Sequence, residues 1–164
     1  MEISRESIST LREILFSETD MGFAKEIECV IALMEKRLEL VEAISKETNE
    51  IPLGVELKKA DGEYAIIAED PYEVGKARAV YFDRNGFLGH STHSYAIDVL
   101  KELVSEGFVS RCDGALEKFS RSPRWIIENK RIALIKSFNA HRLTTLKEME
   151  SRIAENESEG MIYG

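Results

Sequence analysis

Apolar residues recur in steps of three and four at both ends of this chain and alternate with polar ones in its middle, so helices should flank a sheet. Ile8, Leu11 and Leu15 make the first helical stripe. Ser4 suits its N-cap, with Ile3 and Ile8 at the positions of a hydrophobic staple. Ser17-Glu18-Thr19-Asp20 interrupts the pattern. A longer helix follows to about Lys46, in which Ile27, Ile31, Met34, Leu38 and Val41 form a short coiled-coil-like seam that also fits ordinary helix packing. Residues 1–47 thus read as a helical pair.

Thr48 to Gly54 holds Asn49, Pro52 and Gly54 and reads as a connector. Strands are predicted at about 54–59, 63–69, 77–83 and 87–90, with Asp61-Gly62 turning the first pair and Asp83-Arg84-Asn85-Gly86 the last. Asp70-Pro71 marks a longer loop between the middle two. Residues 64–68 are apolar on both faces, which predicts a central strand. A helix over 92–106, capped by Ser91 or Thr92, buries Ala96, Val99, Leu100, Leu103 and Val104. Gly107 suits the left-handed position after it, and Phe108 can fold back on Leu103.

Residues 111–114 read as a loop and 115–120 as a helical turn. Ser122-Pro123 is a strong helix start, because proline at the first helical position gives up a donor the helix does not use. From there a helix extends to about Ala154, with Ile132, Ile135, Asn139, Leu143, Leu146, Met149 and Ile153 on one stripe. Residues 156–164 read as a flexible tail. The whole predicts one α+β domain over 1–164: the helical pair, a ββββα unit at 54–107 built on a four-stranded antiparallel meander with helices over one face, and a long helix at 122–155.

With 164 residues, 43% of them hydrophobic and 32% charged, the chain can bury a core without metals or disulfides. Cys29 and Cys112 belong to no CxxC pair and are expected to be small core thiols. No apolar run is long enough to span a bilayer, and MEISRES lacks the basic-then-apolar start of a signal peptide, so no membrane role and a cytoplasmic location are expected. The net charge of −8 disfavours a protein that coats nucleic acid.

That charge is segregated. Residues 1–50 carry twelve Asp and Glu against six Lys and Arg, whereas from Lys118 to Arg142 seven Lys and Arg face Glu128 alone. An acidic helix at 20–46 and a basic one at 123–142 could pair side by side, within one chain or between two; in a dimer Asn139 would set the register. The basic 118–142 stretch, with Phe119 and Trp125, is alternatively a nucleic-acid surface.

Candidate chemistry is sparse. His90 and His93 with the distant His141, and Asp98 as a possible fourth ligand, are weak candidates for a zinc site. Only His90-Ser91-Thr92 fits the repeated His-x-Thr motif of a phosphoesterase, because His141 has the wrong spacing, so a zinc-dependent or phosphoesterase-type hydrolase is the third reading. The exposed face of the 92–106 helix carries Asp98, Glu102 and Glu106 with Lys101 alone, which argues against a double-stranded-RNA-binding or winged-helix role. No catalytic residue and no cofactor is expected. Arg121, Arg124, Trp125 and Arg131 are the candidate partner contacts, since Trp and Arg dominate interface energetics when exposed; Trp125 fits a place at the base of the core equally well.

Residues 1–46, with ISRE and a leucine near the start and an acidic, then helical stretch after it, resemble the helical openings of small accessory proteins from the early regions of lambdoid prophages. The resemblance covers about a quarter of the chain and carries no functional residue. It implies a small cytoplasmic protein directed at a host factor. Together these features predict a non-catalytic, homodimeric adaptor or inhibitor of a host defence or regulatory protein, with nucleic-acid binding as the alternative.

Overall fold

The computed structural model describes residues 3–139 together with Ser151, Ala154 and Glu155. The elements run α1 (Arg5–Ser17), α2 (Met21–Glu47), β1 (Glu56–Lys58), β2 (Tyr64–Glu69), β3 (Ala77–Phe82), β4 (Phe87–His93), α3 (Ala96–Ser105), β5 (Ser110–Arg111), α4 (Ala115–Ser120) and α5 (Pro123–Asn139). The fold is α+β, as the two periodicities predict.

Local chemistry explains the helix starts. Ser4 Oγ accepts the Ser7 amide at 3.1 Å, and Asp20 Oδ1 accepts those of Gly22 and Phe23 at 2.7 and 3.1 Å. Ile8, Ile27, Ile31 and Met34 are buried in a small core supplied by α1 and α2, with Leu11, Leu15 and Leu38 packed against it. Ile3 does not staple onto this core. It is buried beside Val41 and Ile44 in the larger core under the sheet, which offers it more apolar surface.

The sheet is antiparallel, in the order β4-β3-β2-β1-β5, so β2 is central as predicted. Its alternation decides the layering. Ala65 and Ile67 point into the core formed with Val41 and Ile44 of α2 and Val99, Leu100, Leu103 and Val104 of α3. Tyr64 and Ile66 point the other way, into a second core with Phe82, Phe119 and Trp125. Helices therefore cover both faces, not one, because both faces of β2 are apolar. The same fact overturns the expected pairing of acidic and basic helices within the chain: α2 and α5 lie on opposite sides of the sheet.

The sheet is also larger than the hairpin signals predict. Ser110 and Arg111 pair with β1 where a loop begins in the sequence reading. Buried Glu56 ties this edge together: its carbonyl accepts the Cys112 amide at 3.0 Å and its carboxylate accepts the Leu116 amide of α4 at 3.0 Å. A charged residue inside Val55-Glu56-Leu57 is the signal that could have announced it.

β4 extends to His93, and Tyr95, with no side-chain cap bond, takes the N-cap of α3 in place of Ser91 or Thr92. The end of α3 matches expectation: Gly107 adopts φ 99°, its amide reaches Val104 O at 3.2 Å, and the Phe108 amide reaches Leu103 O at 3.0 Å. α5 starts at Pro123, with the Trp125 amide on Ser122 Oγ at 3.3 Å. Cys29 is exposed, against expectation, whereas Cys112 is half-buried and packs against the second core; burial, aided by the Glu56 carboxylate, pushes the Cys112 thiol up. Ser151, Ala154 and Glu155 are helical. The rest of the predicted helix beyond Asn139, including His141, Arg142, Leu143, Leu146, Met149 and Ile153, and the 156–164 tail lie outside the described residues.

Candidate functional site

Between α3 and β4 the carboxylate of Glu102 collects polar side chains from the sheet. Ser91 Oγ donates to Glu102 Oε2 at 3.1 Å, and His93 Nε2 lies against the same oxygen. Tyr81 Oη sits 3.3 Å from both Ser91 Oγ and Glu106 Oε2. Glu102 and Glu106 are thus not simply the solvated face of α3: Glu102 is half-buried at the strand–helix junction.

This network orients groups more than it activates them. Burial, with the nearby Glu106 and Glu102 charges adding, pushes the Tyr81 phenol up to about 12, so at neutral pH it carries its proton. A nucleophile needs a base within hydrogen-bonding reach. Here Ser91 and His93 both address the carboxylate, and among the described residues no serine, threonine or cysteine is hydrogen-bonded to a histidine.

The histidine pair proposed for metal binding is divided by the strand. β4 runs through His93, so His90 and His93, three positions apart, face opposite sides of the sheet. His90 pairs across with Val80 and shares its face, whereas His93 turns to Glu102 of α3. Their spacing would place them together only on a helix. Asp98 stands on α3, and no group of three or more His, Cys, Asp or Glu among the described residues could hold a metal ion.

Trp125 is completely buried, with Phe82 and Phe119 tilted against its ring and Phe87 edge-on to it, and is therefore an anchor of the second core, not a surface contact. Arg121, Arg124 and Arg131 are exposed on α5 and the residues just before it. Arg121 pairs with Glu117, and Arg131 approaches Glu128 at 3.8 Å, so part of the positive potential of this surface is neutralised within the chain. Arg124 stands beside Lys58 and Arg84 but also Asp61 and Asp83. That mixture lessens what the surface could lend to a phosphate backbone.

Exposed apolar groups concentrate elsewhere. Phe16 (95% exposed) and Met21 (85%) crown the α1–α2 hairpin, and Phe23, Val30 and Leu33 continue down one flank of α2. Two helices can shield only one seam of each other, and here the shielded seam is Ile27, Ile31 and Met34. At the other end of α2, Asn49 and Glu50 take φ values of 50° and 66°, a turn that sets Ile51 and Leu53 in the wall of a cleft of about 790 Å³ with Val74 and Tyr95. Sequence periodicity misses both features, because it finds the buried stripe and not the flank left beside it.

Neither a protein-family model nor a curated protein nor a solved structure matches this chain. The functional reading therefore rests on this geometry.

Proposed function

We propose that this protein is a non-catalytic protein-binding adaptor or inhibitor, and that the α1–α2 hairpin makes its contact. One observation carries the reading: Phe16, Met21, Phe23, Val30 and Leu33 are all exposed on a single acidic two-helix element. Several large apolar side chains left exposed among charged ones on one element characterise partner-binding faces. The resemblance of residues 1–46 to prophage accessory proteins supports a host defence or regulatory protein as the target.

The homodimer belongs to the same proposal. Acidic hairpin and basic α5 occupy opposite faces of one chain, so their charges can complement one another only between two copies. Exposed Ile126 and Ile135, with Arg124 and Arg131, give α5 the apolar and basic groups such a contact uses.

A Phe23→Glu, Leu33→Glu double variant tests the reading, since both side chains are solvent-facing and the fold should persist by circular dichroism. Host proteins captured by the wild type should be lost by the variant. An unchanged captured set would overturn the assignment of the hairpin, and a monomeric mass in solution at micromolar concentration would remove the dimer.

A further inference from the structure

β4 is the last strand of the sheet, and among the described residues nothing pairs with its outer side. Proteins usually guard such an edge with lysine, proline or an inward charge. Its sequence, Phe87-Leu88-Gly89-His90-Ser91-Thr92-His93, contains no lysine, arginine or proline. Phe87 and Leu88 are about half exposed on it.

Beside this edge, on the face away from α3, a groove of about 560 Å³ runs between β3–β4 and α5. Val80, Ile132 and Ala133 supply an apolar floor, and Arg78, His90 and Lys136 stand around it. Among the described residues no acidic side chain lines it, although the protein has a net charge of −8. The Nε of Arg78 is buried and has no hydrogen-bond acceptor among the described residues, although its guanidinium charge acts on Asp70. An open strand edge, an apolar floor and two cationic side chains, Arg78 and Lys136, suit a strand-adding peptide site: main-chain bonds give affinity, and alternate side chains entering the groove give selectivity.

We propose that β4 and α5 form a docking site for an extended acidic peptide, which adds as a further strand along β4. Its alternate side chains enter the groove, apolar ones over Val80 and Ile132 and a carboxylate toward Arg78 and Lys136. The intervening side chains face the α3 side, where Glu102 and Glu106 disfavour further acids. This surface is separate from the α1–α2 hairpin but shares α5 with the proposed dimer contact, so peptide binding and the mass in solution are measured separately.

The test is to pan the full-length protein against a library of displayed, randomised octapeptides. Enriched sequences should alternate, with apolar residues and an Asp or Glu at every second position. The best one, synthesised with a fluorophore, should lose at least tenfold in affinity with Arg78→Glu and with the exposed Lys136→Glu, each checked for folding by circular dichroism. Methylating its backbone nitrogens on alternate residues should abolish binding in one register and spare it in the other. Enrichment of basic peptides, no enrichment, or binding indifferent to Lys136→Glu and to both methylation registers would overturn the proposal. A dimer that Lys136→Glu dissociates, with no peptide enriched, would also overturn it by giving the edge to a second copy.

Discussion

Thr92 donates its hydroxyl to Asp70 Oδ2 at 2.8 Å, joining the end of β4 to the loop that follows β2, twenty-two residues away in sequence. The other oxygen of Asp70 receives the amides of Tyr72 and Glu73 at 2.8 and 3.0 Å. One carboxylate therefore shapes the β2–β3 loop and fastens it to the edge strand. The Tyr72 amide, then the Thr92 hydroxyl, hold its pKa below the ordinary aspartate range.

A group with a depressed native pKa stabilises the fold above its unfolded value, about 3.9 for Asp, and loses that effect as pH falls through the native one. Asp113, held down by Arg111, has the same sign. The melting temperature of Asp70→Asn should lie below the wild type at pH 7, and the gap should close below about pH 4. A gap that persists unchanged to pH 2 would contradict the role assigned to the charge.

Tyr81 has the opposite sense, since its native pKa is raised. Its contribution is complete below the unfolded value of about 10 and is lost as pH rises from there through the native value of about 12. Absorbance titration of wild type against Tyr81→Phe should assign to this phenol an ionisation near 12 in folded protein. Titration near 10 would mean that the site opens to water.

Trp125 is the single tryptophan and is wholly buried against Phe82, Phe87 and Phe119. Trp125→Ala should cost about 3–5 kcal/mol in urea denaturation. Trp125→Phe should cost much less, as it keeps an aromatic ring in the core. Because the residue is internal, neither change should affect partner contacts beyond what lost stability explains.

Glu56→Ala removes the acceptor for the Leu116 amide at the start of α4. The expected loss is about 1 kcal/mol, because a half-buried donor loses its partner. Glu56→Gln retains an acceptor and should recover part of it. Equal denaturation midpoints for the two variants would show that the hydrogen bond contributes nothing.

Glu50 is held at φ 66°, where a side chain is unfavourable and glycine is not. Glu50→Gly should therefore leave stability unchanged or raise it by up to about 1 kcal/mol. Gly107→Ala, at φ 99°, should lower it by about 1–2 kcal/mol. The two variants test the same conformational rule from opposite sides.

Sequence periodicity and capping were enough to locate α1, α2, the meander and the buried stripe and Gly107–Phe108 ending of α3, because those features depend on residues a few positions apart. The centrality of β2 was legible too, since an apolar strand on both faces must be enclosed. Pairing between distant segments was not legible. β5 is only two residues long, β4 continues past the point where the helix was expected, and the contacts of Glu56 and Glu102 join residues from different elements. The surroundings of the paired histidines and of Trp125 were hidden for the same reason. His90 and His93 share a face on a helix but not on a strand, and tryptophan is equally at home in a core and at an interface until something is seen to cover it. Local hydrogen bonding and burial period are written along the chain; which face each helix covers, which edge stays open and which charges meet are settled only when distant surfaces compete for the same apolar contacts.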